Sequence, residues 1–336
     1  MPRDLFELHP VTGYRYIPGL HAQVPHEGGG YLVRCNRVGY RCRHEPTPER
    51  PPGTFRILVF GGGFTAGNGV DESQRFTELL ERQLGGSGPK EVQVLNFGLP
   101  GSGADQHLLG YRQYGREIEH DLLVLCPHVE TILRNLETHA SVPSGDAEAD
   151  PDAPTLLPKP RFSLEGEGLL LHPPPTDPPT PSLGAPTPPP PSLVRGLLQR
   201  FTAEVDKKVP GFHAFTKRVR GVGYPEEYTD PLHPAWRLQR AILRAFLTEA
   251  RSPVVLAPIP TFEHVDGTLA ADPYLARFGE VAVEGRCELV NFLPRFFDEP
   301  RSTREQCRFA RDPHPTALGH TLLAEGLVPH LRRYLP

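Results

Sequence analysis

The chain has 336 residues, a formal net charge of −4 and a pI near 6.4, with 38% hydrophobic residues and 41 prolines. No basic block is present, which argues against nucleic acid as a partner, and no apolar run approaches the roughly 18 residues that a membrane span needs. The N-terminus MPRDLFELHP lacks an apolar signal core. The five cysteines (Cys35, Cys42, Cys126, Cys287, Cys307) are odd in number and lack C-x2-C spacing, so a reduced, cytoplasmic protein without metal or cofactor is expected.

In chain order, residues 1–54 read as a small β-rich cap, with a hairpin expected around Gly28-Gly29-Gly30. The α/β domain opens at Phe55. Its first strand, Arg56 to Phe60, is apolar on both faces, as a central strand of a helix-covered parallel sheet must be. It runs into the glycine-dense turn Gly61-Gly62-Gly63-Phe64-Thr65-Ala66-Gly67, with a helix from about Asp71 to Leu84 beyond. Glu91 to Phe97 is the second strand, followed by another glycine turn and by Asp105, placed as the N-cap of the next helix. Asp121 to Cys126 is the third strand. Residues 141–192 break this rhythm: Ser141 to Asp152 is acidic and small, and His172 to Ser192 is proline-rich, so disorder is expected around a β-hairpin near 161–171. The fold resumes near Leu193, with helices at about 234–251, 274–283 and 315–334 and strands at Val254–Ala257 and Glu288–Phe292. The whole predicts a flavodoxin-like three-layer α/β sandwich, built from 55–140 and 193–336, with a five-stranded parallel sheet in the order 2-1-3-4-5.

Four blocks carry chemistry: the first glycine turn, Asn96-Phe97-Gly98-Leu99-Pro100-Gly101, Pro127-His128-Val129-Glu130-Thr131, and Asp312-Pro313-His314 before the last helix. Together they resemble the SGNH (GDSL-type) hydrolases, whose first turn reads roughly G-D-S-F-T-x-G. The resemblance implies an ester hydrolase or acyl transferase acting on a small acylated molecule or acylated sugar. It puts His314 in the place of the catalytic base and Asp312 in that of its orienting acid. It gives Gly98, Gly62, Glu130 and Thr131 positions around the oxyanion, and Gly63 the position of the nucleophilic serine. Glycine supplies no nucleophile, and an ionised Glu130 would repel an oxyanion, so a pseudoenzyme or an inactivated form is expected. Thr65, in the first glycine turn, and Ser102, in the second, are the hydroxyls that could substitute, and both read first as turn-stabilising groups.

Two readings from other classes compete. Gly61-Gly63-Gly67 also fits a weak GxGxxxG nucleotide or phosphate turn at a helix start, although no acidic residue closes the second strand and no Gly-Lys-Ser/Thr follows. The proline-rich arm could instead recruit a protein partner with an aromatic groove.

Overall fold

The computed structural model describes residues 4–86, 88–143, 155–166, 168–176 and 226–336. The proline run and the expected restart near Leu193 therefore lie largely outside the described residues, as does most of the Ser141–Asp152 stretch.

The first strand extends from Thr54 to Gly61 (β5), and all eight of its residues are buried. It lies between Glu91–Gly98 (β6) and Leu122–Cys126 (β7), parallel to both, with Gly61 in register with Gly98 and Cys126. Val254–Leu256 (β12) pairs with β7, and Glu288–Leu289 (β13) pairs with β12. The sheet order β6-β5-β7-β12-β13 is the doubly wound 2-1-3-4-5 arrangement of an α/β sandwich. Strand periodicity sorts the core into two layers. Leu58 and Phe60 face a cluster with Leu108, Tyr111, Trp236 and Phe246, from helices α3 (Ala104–Gln113) and α4 (Pro234–Glu249). Ile57 and Val59 face the opposite cluster with Phe76, Leu80, Leu323 and Leu327, from α2 (Phe76–Leu84) and α6 (Ala317–Leu331). Between the strands β12 and β13 runs α5 (Asp272–Gly285).

Residues 6–34 form two antiparallel hairpins. Phe6–His9 (β1) pairs with Gly13–Tyr16 (β2), and His21–Val24 (β3) pairs with Tyr31–Arg34 (β4) across the triple glycine. Further on, His139–Val142 (β8) pairs with Thr155–Pro158 (β9), and Arg161–Glu165 (β10) with Gly168–His172 (β11). Ser141 and Val142 are thus strand residues rather than the start of a disordered stretch, because β9 supplies their ladder partners.

Two further expectations are corrected. The fifth strand ends at Leu289, not Phe292. Asn291 Oδ1 accepts the Leu293 N–H at 3.1 Å, with Pro294 in the first turn of a short helix, so the chain bends out of the sheet. Asp105 is not an N-cap, since α3 starts at Ala104 with Gly103 as cap. Its carboxylate is instead fully buried and ion-paired to the equally buried Lys159, while its Oδ1 accepts the Gln106 N–H at 2.8 Å. This pair ties the β9–β10 connection to α3. Breaking a buried pair strands a charge, whereas replacing both partners relieves it. Lys159→Met alone should lose about 3–5 kcal/mol in urea unfolding, and Asp105→Leu combined with Lys159→Met should recover most of that loss.

Candidate functional site

The site forms where β5 ends. Gly62 caps a single helical turn, Gly63–Ala66 (α1), which Gly67 closes in the left-handed conformation (φ 76°). Gly69 is also left-handed (φ 83°), and the two glycines bend the chain sharply on either side of Asn68. Buried Arg41 fixes this turn, donating to the carbonyls of Ala66 at 3.3 Å and Val70 at 2.7 Å and closely to that of Gly67. Asn96 secures it from β6, with Nδ2 donating to Thr65 O at 2.7 Å and to Thr77 Oγ1 at 2.9 Å.

The loop before α6 brings Asp312 and His314 to this turn. His314 Nδ1 contacts Asp312 Oδ1 closely, and its Nε2 lies 3.3 Å from Asn68 Nδ2. An amide nitrogen only donates, so Nε2 accepts and the ring proton sits on Nδ1, donated to Asp312. A Cβ built on Gly63 would meet His314 Nε2 well inside the 3.0 Å that real Cβ atoms respect, and Asn68 Nδ2 at 3.2 Å. The imidazole therefore occupies space that a side chain at position 63 would need. Phe64 forms the wall beside it, with ring centroids 5.3 Å from His314, 4.2 Å from His128 and 5.9 Å from Phe262.

The other expected residues are distributed differently. The Gly98 N–H donates to Asn96 Oδ1 at 2.8 Å, so that donor is engaged within the fold. Gly98 must remain glycine because a Cβ would collide with the backbone at Thr65 and Ala66. Thr131 Oγ1 donates to His128 O at 2.9 Å, and Glu130 is exposed. From that third block it is His128 that reaches the site, stacked on Phe64. Gly62 lies in the turn, where a Cβ would meet Ser102 O at 3.8 Å, an ordinary contact.

Neither alternative hydroxyl is hydrogen-bonded to His314. Thr65 is fully buried against Gly61. Ser102 Oγ, also fully buried, contacts Leu99 O at 2.6 Å and His107 Nε2 at 2.8 Å. Burial pushes His107 down to about 3, so His107 is neutral and the Ser102–His107 contact is a closed internal pair. His320 is likewise pushed down to about 3 by burial, and its Nδ1 accepts the Phe76 N–H at 3.3 Å, which makes it a packing residue.

Sequence reasoning missed Asn68, His128 and His26, the last of which reaches Asp312 Oδ2 from 286 positions away at 3.1 Å. Asn68 stands between Gly67 and Gly69, directly after the turn already singled out, and His128 lies in the third block, whereas His26 carries no signal of its own. Three polar atoms at the site, Thr65 Oγ1, Asn68 Oδ1 and His128 Nε2, are buried without a hydrogen-bond partner among the described residues. Burial pushes His128 down to about 3, so its ring is neutral.

No family model matches the chain, and no curated protein matches it. Among solved structures it is similar to a lipase/acylhydrolase from Enterococcus faecalis (12% identity, 84% of this chain and 97% of that one, TM-score 0.46). Others are a lipolytic G-D-S-L family member from Veillonella parvula DSM 2008 (12%, 83% and 99%, 0.40) and an acetylxylan esterase from Geobacillus stearothermophilus (12%, 82% and 94%, 0.43). At these identities and scores the likenesses carry nothing about the chemistry of this chain. Among the described residues no helix is long and apolar enough to cross a membrane, and no His/Cys/Asp/Glu group is arranged to hold a metal ion.

Burial raises the Asp312 carboxyl, but hydrogen bonds from His314 and His26 outweigh it and hold the group at about 2, below its ordinary 3.8. A carboxyl depressed on folding contributes stability that is complete above its unfolded value and is lost as pH falls through its folded value. Acid titration of the unfolding free energy should therefore show a loss between pH 3.8 and about 2, and Asp312→Asn should flatten that part of the curve.

Proposed function

We propose that this chain is a hydrolase-fold protein whose cleft binds a small acylated molecule or acylated sugar without forming an acyl-enzyme. The observation that carries this reading is the approach of His314 Nε2 to Gly63, which leaves a base and its acid in place with no nucleophile between the base and a substrate. Asn68 reinforces it, because its amide donates to the lone pair that a base would use. The cleft offers ligand recognition instead. Phe64, packed against Phe262, forms an apolar wall that is largely buried, and Asn68 Oδ1 and neutral His128 Nε2 are buried groups for which a bound molecule's polar atoms would compensate once admitted.

The phosphate reading is less well supported. The helix behind the glycine turn has only four residues, too few for a substantial macrodipole, and the nearby Arg41 and Arg75 are committed to backbone carbonyls. The protein-recruiting reading rests on the proline run, most of which lies outside the described residues.

Hydrolysis of a short-chain aryl ester tests the proposal, alongside calorimetric binding of a non-hydrolysable amide analogue. The chain and His314→Ala should be equally inactive, while the analogue binds saturably to the chain. Gly63→Ser should gain turnover once His314 swings back from Cα, and adding His314→Ala should remove about 10²–10⁴-fold of it. Turnover by the unmodified chain that depends on His314 would overturn the reading.

A further inference from the structure

The Asp312 carboxylate serves two imidazoles. Oδ1 takes the His314 Nδ1–H and the His314 backbone N–H at 2.8 Å, and Oδ2 lies 3.1 Å from His26 Nε2. Gly28 N–H donates to His26 Nδ1 at 3.1 Å, so the ring proton of His26 sits on Nε2 and points at Asp312. The His26 side chain is 9% exposed, edge-on to Phe309 at 4.4 Å and to Tyr31 at 5.8 Å. Left-handed Gly69 makes room for this packing, since a Cβ there would press into both Phe309 and His26. The next residue holds the same loop by its backbone: the Glu27 carboxylate accepts the N–H groups of Ala310, Arg311 and Asp312 at 3.2, 2.9 and 2.7 Å. One turn between β3 and β4 thus grips both the main chain and the side chain of the loop that carries His314.

We propose that His26 is a positioning residue of the cleft, orienting Asp312 through its Nε2–H so that Asp312 holds His314 in the Nδ1–H tautomer with Nε2 facing Gly63. Three hydrogen bonds in series act on the Nδ1 side, Gly28 to His26, His26 to Asp312, and His314 to the other oxygen of the same carboxylate, while Asn68 Nδ2 donates to Nε2 from the opposite side. With the His26 donor removed, Asp312 Oδ2 loses its side-chain partner, and only the two bonds from His314 to Oδ1 are left to hold a carboxylate whose χ2 is broad for this residue type. Hydrogen bonds to an ionised acceptor are the strong kind, so the donor matters more than the ring that carries it. The β3–β4 hairpin is thus part of the site's construction.

The inference rests on reading Asp312 and His314 as the polar pair of the cleft, and its test is independent of ligand binding. Imidazole ¹⁵N shifts of His314 would be recorded near neutral pH in the full chain, in His26→Leu and in His26→Gln, with circular dichroism to check folding. Leucine keeps apolar packing against Phe309 and Tyr31 without a donor, and glutamine keeps a donor without the ring. His26→Met is a second donor-free variant should His26→Leu not fold. The expected result is a single Nδ1–H tautomer in the full chain and in His26→Gln, and loss of that single-tautomer signature in the donor-free variant. An unchanged His314 tautomer in a folded donor-free variant overturns the inference, as does loss in His26→Gln with retention in His26→Leu, which would assign the role to packing. A cleft that binds no acyl analogue while the tautomer responds as expected would sink the proposed function and leave this inference standing.

Discussion

The approach of His314 Nε2 to the bare Cα of Gly63 is the constraint on which the site depends. It requires glycine at 63, a loop at 309–314 delivered to the carboxyl edge of the sheet, and a turn at 67–69 that places Asn68 opposite the ring. Each requirement is met by a different part of the chain. β5 ends in register with β6 and β7, so the turn after it emerges at the sheet edge, where doubly wound folds present their ligands. Arg41 and Asn96 then freeze the turn by capping its carbonyls. A buried guanidinium is costly unless its donors are used, and four backbone carbonyls, those of Leu32, Ala66, Gly67 and Val70, accept from the terminal NH2 groups of Arg41, leaving its Nε–H without a partner among the described residues.

Polar groups that could support catalysis are here mostly spent on architecture. The Gly98 N–H goes to Asn96, the Thr131 hydroxyl to a backbone carbonyl, and the Ser102 hydroxyl to its own turn. An oxyanion hole needs donors that are held in place but uncommitted until charge develops. These donors are held and committed. What stays unpartnered at the site among the described residues is Thr65 Oγ1, buried beneath the turn, together with Asn68 Oδ1 and His128 Nε2.

Much of the fold was legible in the sequence because its signals are local. The run Ile57 to Phe60 closed by glycines, and the alternating helices beyond, specify a parallel sheet without knowledge of its partners. Asp312 and His314 stood out for the same reason, being two residues apart on a loop before a strongly apolar helix. The misses are those that depend on distant contacts. His26 meets Asp312 only because a hairpin near the N-terminus folds over a loop near the C-terminus, and nothing in its own neighbourhood marks it. The acid at 105 reads as a cap because caps are the common use of Asp after a glycine turn; its buried partner Lys159 lies within the 141–192 insertion. Residue motifs likewise overstated Gly98, since whether its N–H is available is decided by the Asn96 side chain two positions away.

The most direct measurement is intact-mass analysis of the unmodified chain after prolonged incubation with a reactive fluorophosphonate, which labels activated serine or threonine hydroxyls irrespective of substrate. The account requires no covalent adduct, with Gly63→Ser as the positive control whose labelling depends on His314. A stoichiometric adduct on any hydroxyl of the unmodified chain would contradict it, because a working nucleophile would then stand somewhere other than position 63.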